Sequence, residues 1–133
     1  MRKLIAKKWI KALQSGKYKQ GEGYLKQINS RGKTRHCCLG VLCELYNDSM
    51  KKNHKKTLNI KSLECFSNRT AYISFNNQDA GLPAPVKKWA GIKNSLGEFR
   101  DSNNNLNCLA DLNDTGKRFK TIANIINENM ENL

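Results

Sequence analysis

Cys37-Cys38-Leu39-Gly40-Val41-Leu42-Cys43-Glu44-Leu45-Tyr46 is the most apolar stretch of this 133-residue chain. Within it Cys38, Val41, Leu42 and Leu45 recur at i, i+3, i+4 and i+7, the spacing that places side chains on one buried face of a helix. Gly40 inside this stretch predicts close approach by another element. The helix is expected to fray into Asn47-Asp48-Ser49, with the polar, basic residues 50–58 following as a solvated loop.

Strand signals flank this helix. Tyr24 to Ile28 reads as a short strand and Asn29-Ser30-Arg31-Gly32 as a turn. Downstream, Thr70-Ala71-Tyr72-Ile73-Ser74-Phe75 is rich in β-branched and aromatic residues and reads as a strand ended by Asn76-Asn77-Gln78-Asp79. Leu96 to Arg100 and Leu106 to Leu109 pair as a hairpin across Asp101-Ser102-Asn103-Asn104-Asn105. Helices close both ends. Residues 3–15 place Ile5, Trp9, Ala12 and Leu13 on one stripe, with Lys3, Lys7 and Lys11 on another, and Gly16 suits the left-handed stop. Leu82-Pro83-Ala84-Pro85 opens a short helix through Trp89 that Gly91 ends. In the last helix Phe119, Ile122, Ala123 and Ile126 share a face, and Asp114 or Thr115 is placed to cap its start. Residues 1–133 thus read as one domain of α+β class, a small antiparallel sheet with helices packed on it.

Composition narrows the function classes. Apolar residues make up 38% of the chain and mean hydropathy is −0.70, which predicts a modest core. No run is long and apolar enough for a transmembrane helix, and Lys7-Lys8 interrupts the apolar start a secretion signal would need. A cytosolic protein with thiol cysteines is expected, and the odd count of five Cys argues against a full disulfide framework. The net charge is +13, and the first 35 residues hold eleven cations against one acid, Glu22. Such local excess predicts a local anionic partner.

Several constellations invite chemistry. His36-Cys37-Cys38 with Cys43 lacks metal-ligand spacing and reads as core packing; a cysteine nucleophile near the helix start has no identifiable base. Arg31-Gly32-Lys33-Thr34 resembles the end of a P-loop, but Gln27 stands where that motif needs its first glycine. A basic turn of Arg31, Lys33 and Arg35 near the Cys37 helix start remains as an anion site. Lys117 and Arg118, at the start of the last helix, oppose its dipole and suggest a bound anion, with Asn113 beside them. Asp111 and Asp114 form only a weak carboxylate pair for acid–base work. Tyr18, between Lys17 and Lys19 and followed by Gln20, is the usual material for stacking a base while pairing its phosphate. Trp9 and Trp89 read as core.

Three segments are familiar together: Trp9-Ile10-x-Ala12-Leu13-x-Ser15-Gly16-Lys17-Tyr18-Lys19-Gln20, Cys37-Cys38-Leu39-Gly40-Val41-Leu42-Cys43, and Leu112-Asn113-Asp114-x-Gly116-x-x-Phe119-x-x-Ile122-Ala123, with Leu82-Pro83 and Trp89-Ala90-Gly91 between them. In this order they resemble a group of small bacteriophage-encoded proteins. The resemblance implies a phage accessory protein made in a bacterial cytosol and acting against host defence, as proteins that sequester nucleotide second messengers do. It brings no catalytic residues.

The expected function is therefore a binding protein, without turnover or cofactor, for a small phosphorylated nucleotide-type ligand. Lys17, Tyr18, Gln20, Arg31, Lys33, Arg35, Asn113, Lys117 and Arg118 are the expected contacts, and a homo-oligomer is expected to close the site. One alternative is a nucleic-acid binder using Lys3, Lys7 and Lys11 on one helix face; another is an inhibitor docking on an acidic host protein.

Overall fold

A computed structural model describes residues 1–133. In chain order the elements are α1 (Lys3–Gln14), β1 (Lys26–Ile28), β2 (Thr34–His36), α2 (Cys38–Lys52), β3 (Ile60–Cys65), β4 (Thr70–Phe75), α3 (Ala84–Ala90), β5 (Glu98–Arg100), β6 (Leu106–Cys108), α4 (Leu109–Asp114) and α5 (Phe119–Glu128). The apolar stretch is the central helix. Residues Cys37 to Cys43 are all buried, so the first two turns of α2 are enclosed on every side rather than along one stripe. The helix runs three residues past the expected fraying point, to Lys52, with Lys51 and Lys52 favourably placed at its negative end.

Packing around α2 follows from the amphipathic stripes. Ile5, Ala6, Trp9 and Leu13 of α1 are buried, and the Trp9 indole donates to the Cys38 carbonyl at 2.9 Å inside the core. Lys3, Lys7 and Lys11 point to solvent. The α5 stripe, Phe119, Ile122, Ala123 and Ile126, is buried alongside α1. Gly16 and Gly91 adopt the left-handed φ that ends their helices, +74° and +71°. Trp89 is half-buried, edge-on to Tyr46 at 5.5 Å.

The strands form a four-stranded antiparallel sheet of order β2-β1-β4-β3 and a separate β5-β6 hairpin. No element was read from residues 60–65, and the exposed residues Ile60 to Glu64 of β3 explain why: an edge strand buried on neither face has no alternation to read. The sheet's buried residues, His36, Ile73 and Phe75, share one face. There Glu44 of α2 accepts hydrogen bonds from Lys26 Nζ (2.7 Å) and His36 Nε2 (3.0 Å).

Burial would raise the Glu44 carboxyl, but the bonds from His36 and Lys26 outweigh it and hold it down at about 2, below the ordinary 4.5. A carboxyl lowered by folding stabilises the fold above its unfolded pKa and loses that contribution as pH falls toward the folded one. Stability should therefore drop between about pH 4.5 and pH 2. Urea melts across that range should show a shallower acid loss in Glu44→Gln; an unchanged slope would mean that Glu44 contributes nothing to it.

Candidate functional site

The segment between α1 and β1 brings the expected residues together. Residues 19–21 run alongside β2 as an added parallel edge: His36 N donates to Lys19 O, and Gly21 N donates to His36 O. That placement fixes Gln20, whose side chain reaches across the fold. Its Nε2 donates to Asn113 Oδ1 (3.0 Å) and to the Lys117 carbonyl (2.7 Å), while its Oε1 accepts from the Phe119 amide (3.0 Å). Gln20 thus caps α5 from a distance of 99 residues in sequence. The expected cap, Asp114, instead closes α4 and accepts from Gly23 N and Asn113 Nδ2; the N-cap residue of α5 is Arg118, whose side chain makes no cap bond.

The amides of Lys120 and Thr121 in the first turn of α5 find no acceptor in the protein. They form the positive end of the helix dipole, an arrangement that suits an anion. Beside this end lies an open cleft of about 620 Å³ between the end of α1 and the start of α5. Tyr18, Lys19, Gln20, Arg118 and Lys120 line it, and no acid does. The molecule's two ion pairs are both made by Glu44, so Lys19, Arg118 and Lys120 have no carboxylate partner.

The other expected contacts separate. Asn113 is fully buried, and both its donors and both its acceptor positions are used: Oδ1 accepts from Cys38 N and Gln20 Nε2, and Nδ2 donates to Gly21 O and Asp114 Oδ1. It is a structural clamp, and the expectation that Asn113 is a ligand contact is corrected. Gln20, though on the cleft wall, is likewise spent on α5. Arg31 and Lys33 sit at the tip of the β1-β2 turn, away from the cleft lining, and Arg35 reaches back to the Gln20 carbonyl at 3.4 Å. The expected anion site at the start of α2 is closed, because Asn113 and the Cys37 sulfur accept from the Cys38 and Gly40 amides of that buried turn. Tyr18 is half-buried, its ring edge-on to His36 at 5.2 Å with Lys17 Nζ 5.3 Å from its centroid. Lys117 is exposed and next to the cleft.

Cys37, Cys38 and Cys43 are packed rather than poised. Burial pushes the Cys37 thiol up to about 11 and those of Cys38 and Cys43 well above their ordinary range, the opposite of nucleophile activation. No three of the His, Cys, Asp and Glu side chains converge on a common point.

A family model described as "Domain of unknown function (DUF8296)" matches residues 1–130. The chain belongs to that family. No curated protein and no solved structure matches it. In this DUF8296 domain no helix is long and apolar enough to cross a membrane. Lys19 and Lys120 are the cleft cations that sequence reasoning left off the contact set. Their signal is there in retrospect, since each is a cation next to an expected contact, but which neighbour faces the cleft depends on the fold.

Proposed function

We propose that this protein binds a small phosphorylated, nucleotide-type ligand without turning it over, and that it does so as a phage accessory protein sequestering a defence signal in a bacterial cytosol. The observation that carries the reading is the conjunction at the α5 start: two free amides, with Lys19, Arg118 and Lys120 unpaired around an acid-free cleft. Phosphate oxygens would accept from the amides and from the Arg118 fork, and the exposed edge of Tyr18 would border the base. The resemblance of the Trp9, Cys37 and Leu112 segments to phage proteins supports the setting. The cleft is open to solvent, so tight capture calls for a second copy closing over it.

The test is calorimetric titration with a panel of mono-, di- and cyclic oligonucleotides, together with mass spectrometry of small molecules released from protein purified out of infected cells. Arg118→Glu combined with Lys120→Glu should weaken binding by tenfold or more, since hydrogen bonds to charged groups contribute about 1.5–3 kcal/mol each. Both side chains are exposed, so the fold should be retained. Absence of binding by the wild-type protein at high concentration, or equal affinity in the double variant, would overturn the reading.

A further inference from the structure

The four-stranded sheet has a second face that no helix covers. Across it the register sets Arg35, Gln27, Tyr72 and Leu63 in one row, one residue from each strand. Lys61 and Ser74 pair one step further along the same face. Tyr24, from the loop before β1, lies on Tyr72 with ring centroids 3.9 Å apart and planes tilted by 32°. Both tyrosines are half-exposed; Arg35 and Lys61 are exposed, and Leu63 is 75% exposed. The strand residues facing this side are Arg35, Gln27, Lys61, Leu63, Cys65, Thr70, Tyr72 and Ser74: two cations and no acid.

We infer that this open sheet face binds single-stranded nucleic acid, with bases stacking on the Tyr24–Tyr72 pair and phosphates meeting Arg35 and Lys61. A flat aromatic pair flanked by cations on an uncovered antiparallel sheet supplies the two interactions such a strand needs. Neighbouring strands are about 4.8 Å apart, so Arg35 stands about 10 Å from Tyr72, with Lys61 on the strand at its other side. The tyrosines therefore lie between cations, and a strand crossing the sheet meets a cation, the aromatic pair and a cation in turn. Every base has a π-face, so the surface is expected to tolerate sequence. A duplex keeps its bases stacked on one another, so it offers phosphates and groove edges but no open base face to stack on the tyrosines. The charge of +13 complements a polyanion and disfavours a basic protein partner. The face is separate from the α5 cleft, and the inference does not depend on the cleft's ligand.

Anisotropy titrations with labelled oligo(dT) and oligo(U) dodecamers and a dodecamer duplex test it. Either single strand should bind. Tyr72→Ala and Tyr24→Ala should each weaken single-strand binding about tenfold and leave duplex binding unchanged, because stacking on an aromatic contributes only when bases are free. Tyr72→Phe should retain binding, which separates lost stacking from lost folding. Arg35→Gln, on an exposed side chain, should lower the salt slope by about 0.7, one single-strand phosphate contact. Crosslinks from 5-iodouracil oligonucleotides should map to Tyr24 or Tyr72. No single-strand binding, indifference to both alanine variants, equal losses on the duplex, or crosslinks confined to α5 would each overturn the inference. Arg118→Glu with Lys120→Glu should spare oligonucleotide binding while weakening nucleotide binding by tenfold or more, so the two sites fail independently.

Discussion

Gly40→Ala is expected to lower stability by about 3 kcal/mol or more, at the upper end of what overpacking a core costs. A β-carbon at Gly40 would overlap the carbonyl oxygen of Leu25 and crowd its carbonyl carbon. Neither side can yield cheaply. The Leu25 amide donates to Asp79 O at 2.6 Å, its carbonyl accepts from Cys37 N at 3.3 Å, and its side chain is fully buried. The obstacle is backbone, so no rotamer change relieves it, and α2 must move away from the segment that enters β1. Alanine's better helix propensity, about 1 kcal/mol over glycine, offsets only part of this. For a chain of this length the melting temperature should fall by roughly 10 °C. Thermal melts by circular dichroism check it, with Gly16→Ala as the comparison. Gly16 has nothing within 4 Å of its added carbon and only its φ of +74° to strain, so that variant should lose about 1 kcal/mol. Equal melts for Gly40→Ala and wild type would mean that helix and strand entry are not in contact.

Asn113→Ala should be of similar size, for the opposite reason: it removes partners rather than adding bulk. The side chain ties the start of α2 (Cys38 N), the β2 edge segment (Gly21 O, Gln20 Nε2) and the end of α4 into one buried junction. Truncation leaves the Cys38 amide and the Gly21 carbonyl without their partners, and an unmet buried polar group costs about 1–3 kcal/mol. A total near 3 kcal/mol is expected. The loss should extend to function, because Gln20 is held by Asn113 and in turn holds the Phe119 amide that begins α5. Asn113→Ala should therefore weaken nucleotide binding at the cleft although Asn113 cannot reach it. Asn113→Asp should not rescue stability: it keeps the acceptors, loses both donors and places a carboxylate in a fully buried site. A melt of Asn113→Ala within a degree of wild type would remove the junction from the account.

The reading of particular elements shows where local information sufficed. The helical periodicity of α2 and α5, the strand formers of Thr70–Phe75 and the glycine stops at Gly16 and Gly91 were legible, because each depends on residues within a turn or two of one another. The β5-β6 hairpin was legible too, although Leu109, expected to be strand, begins α4. Strand β3 was missed because it is exposed along nearly its whole length, so burial left no pattern in its sequence. The three-residue β2 is too short to carry one.

The candidate site divides along the same line. Charge is a property of composition, so the sequence alone determined the net charge of +13 and its excess in the first 35 residues. It determined as well the α+β class and one buried face of the central helix, since hydrophobic spacing follows directly from burial; that its first two turns are enclosed on every side was decided by the tertiary packing. Tertiary structure decided which polar residues remain free. Gln20 and Asn113 look like ligand contacts in a linear reading, yet they bond partners 99 and 92 residues away and are consumed in holding the fold together. Tertiary structure also decided that Tyr24 meets Tyr72, and that both stand on an uncovered sheet face beside Arg35. Hydrogen-bond satisfaction and face sharing between distant strands depend on how the chain returns upon itself, and no local pattern encodes that return.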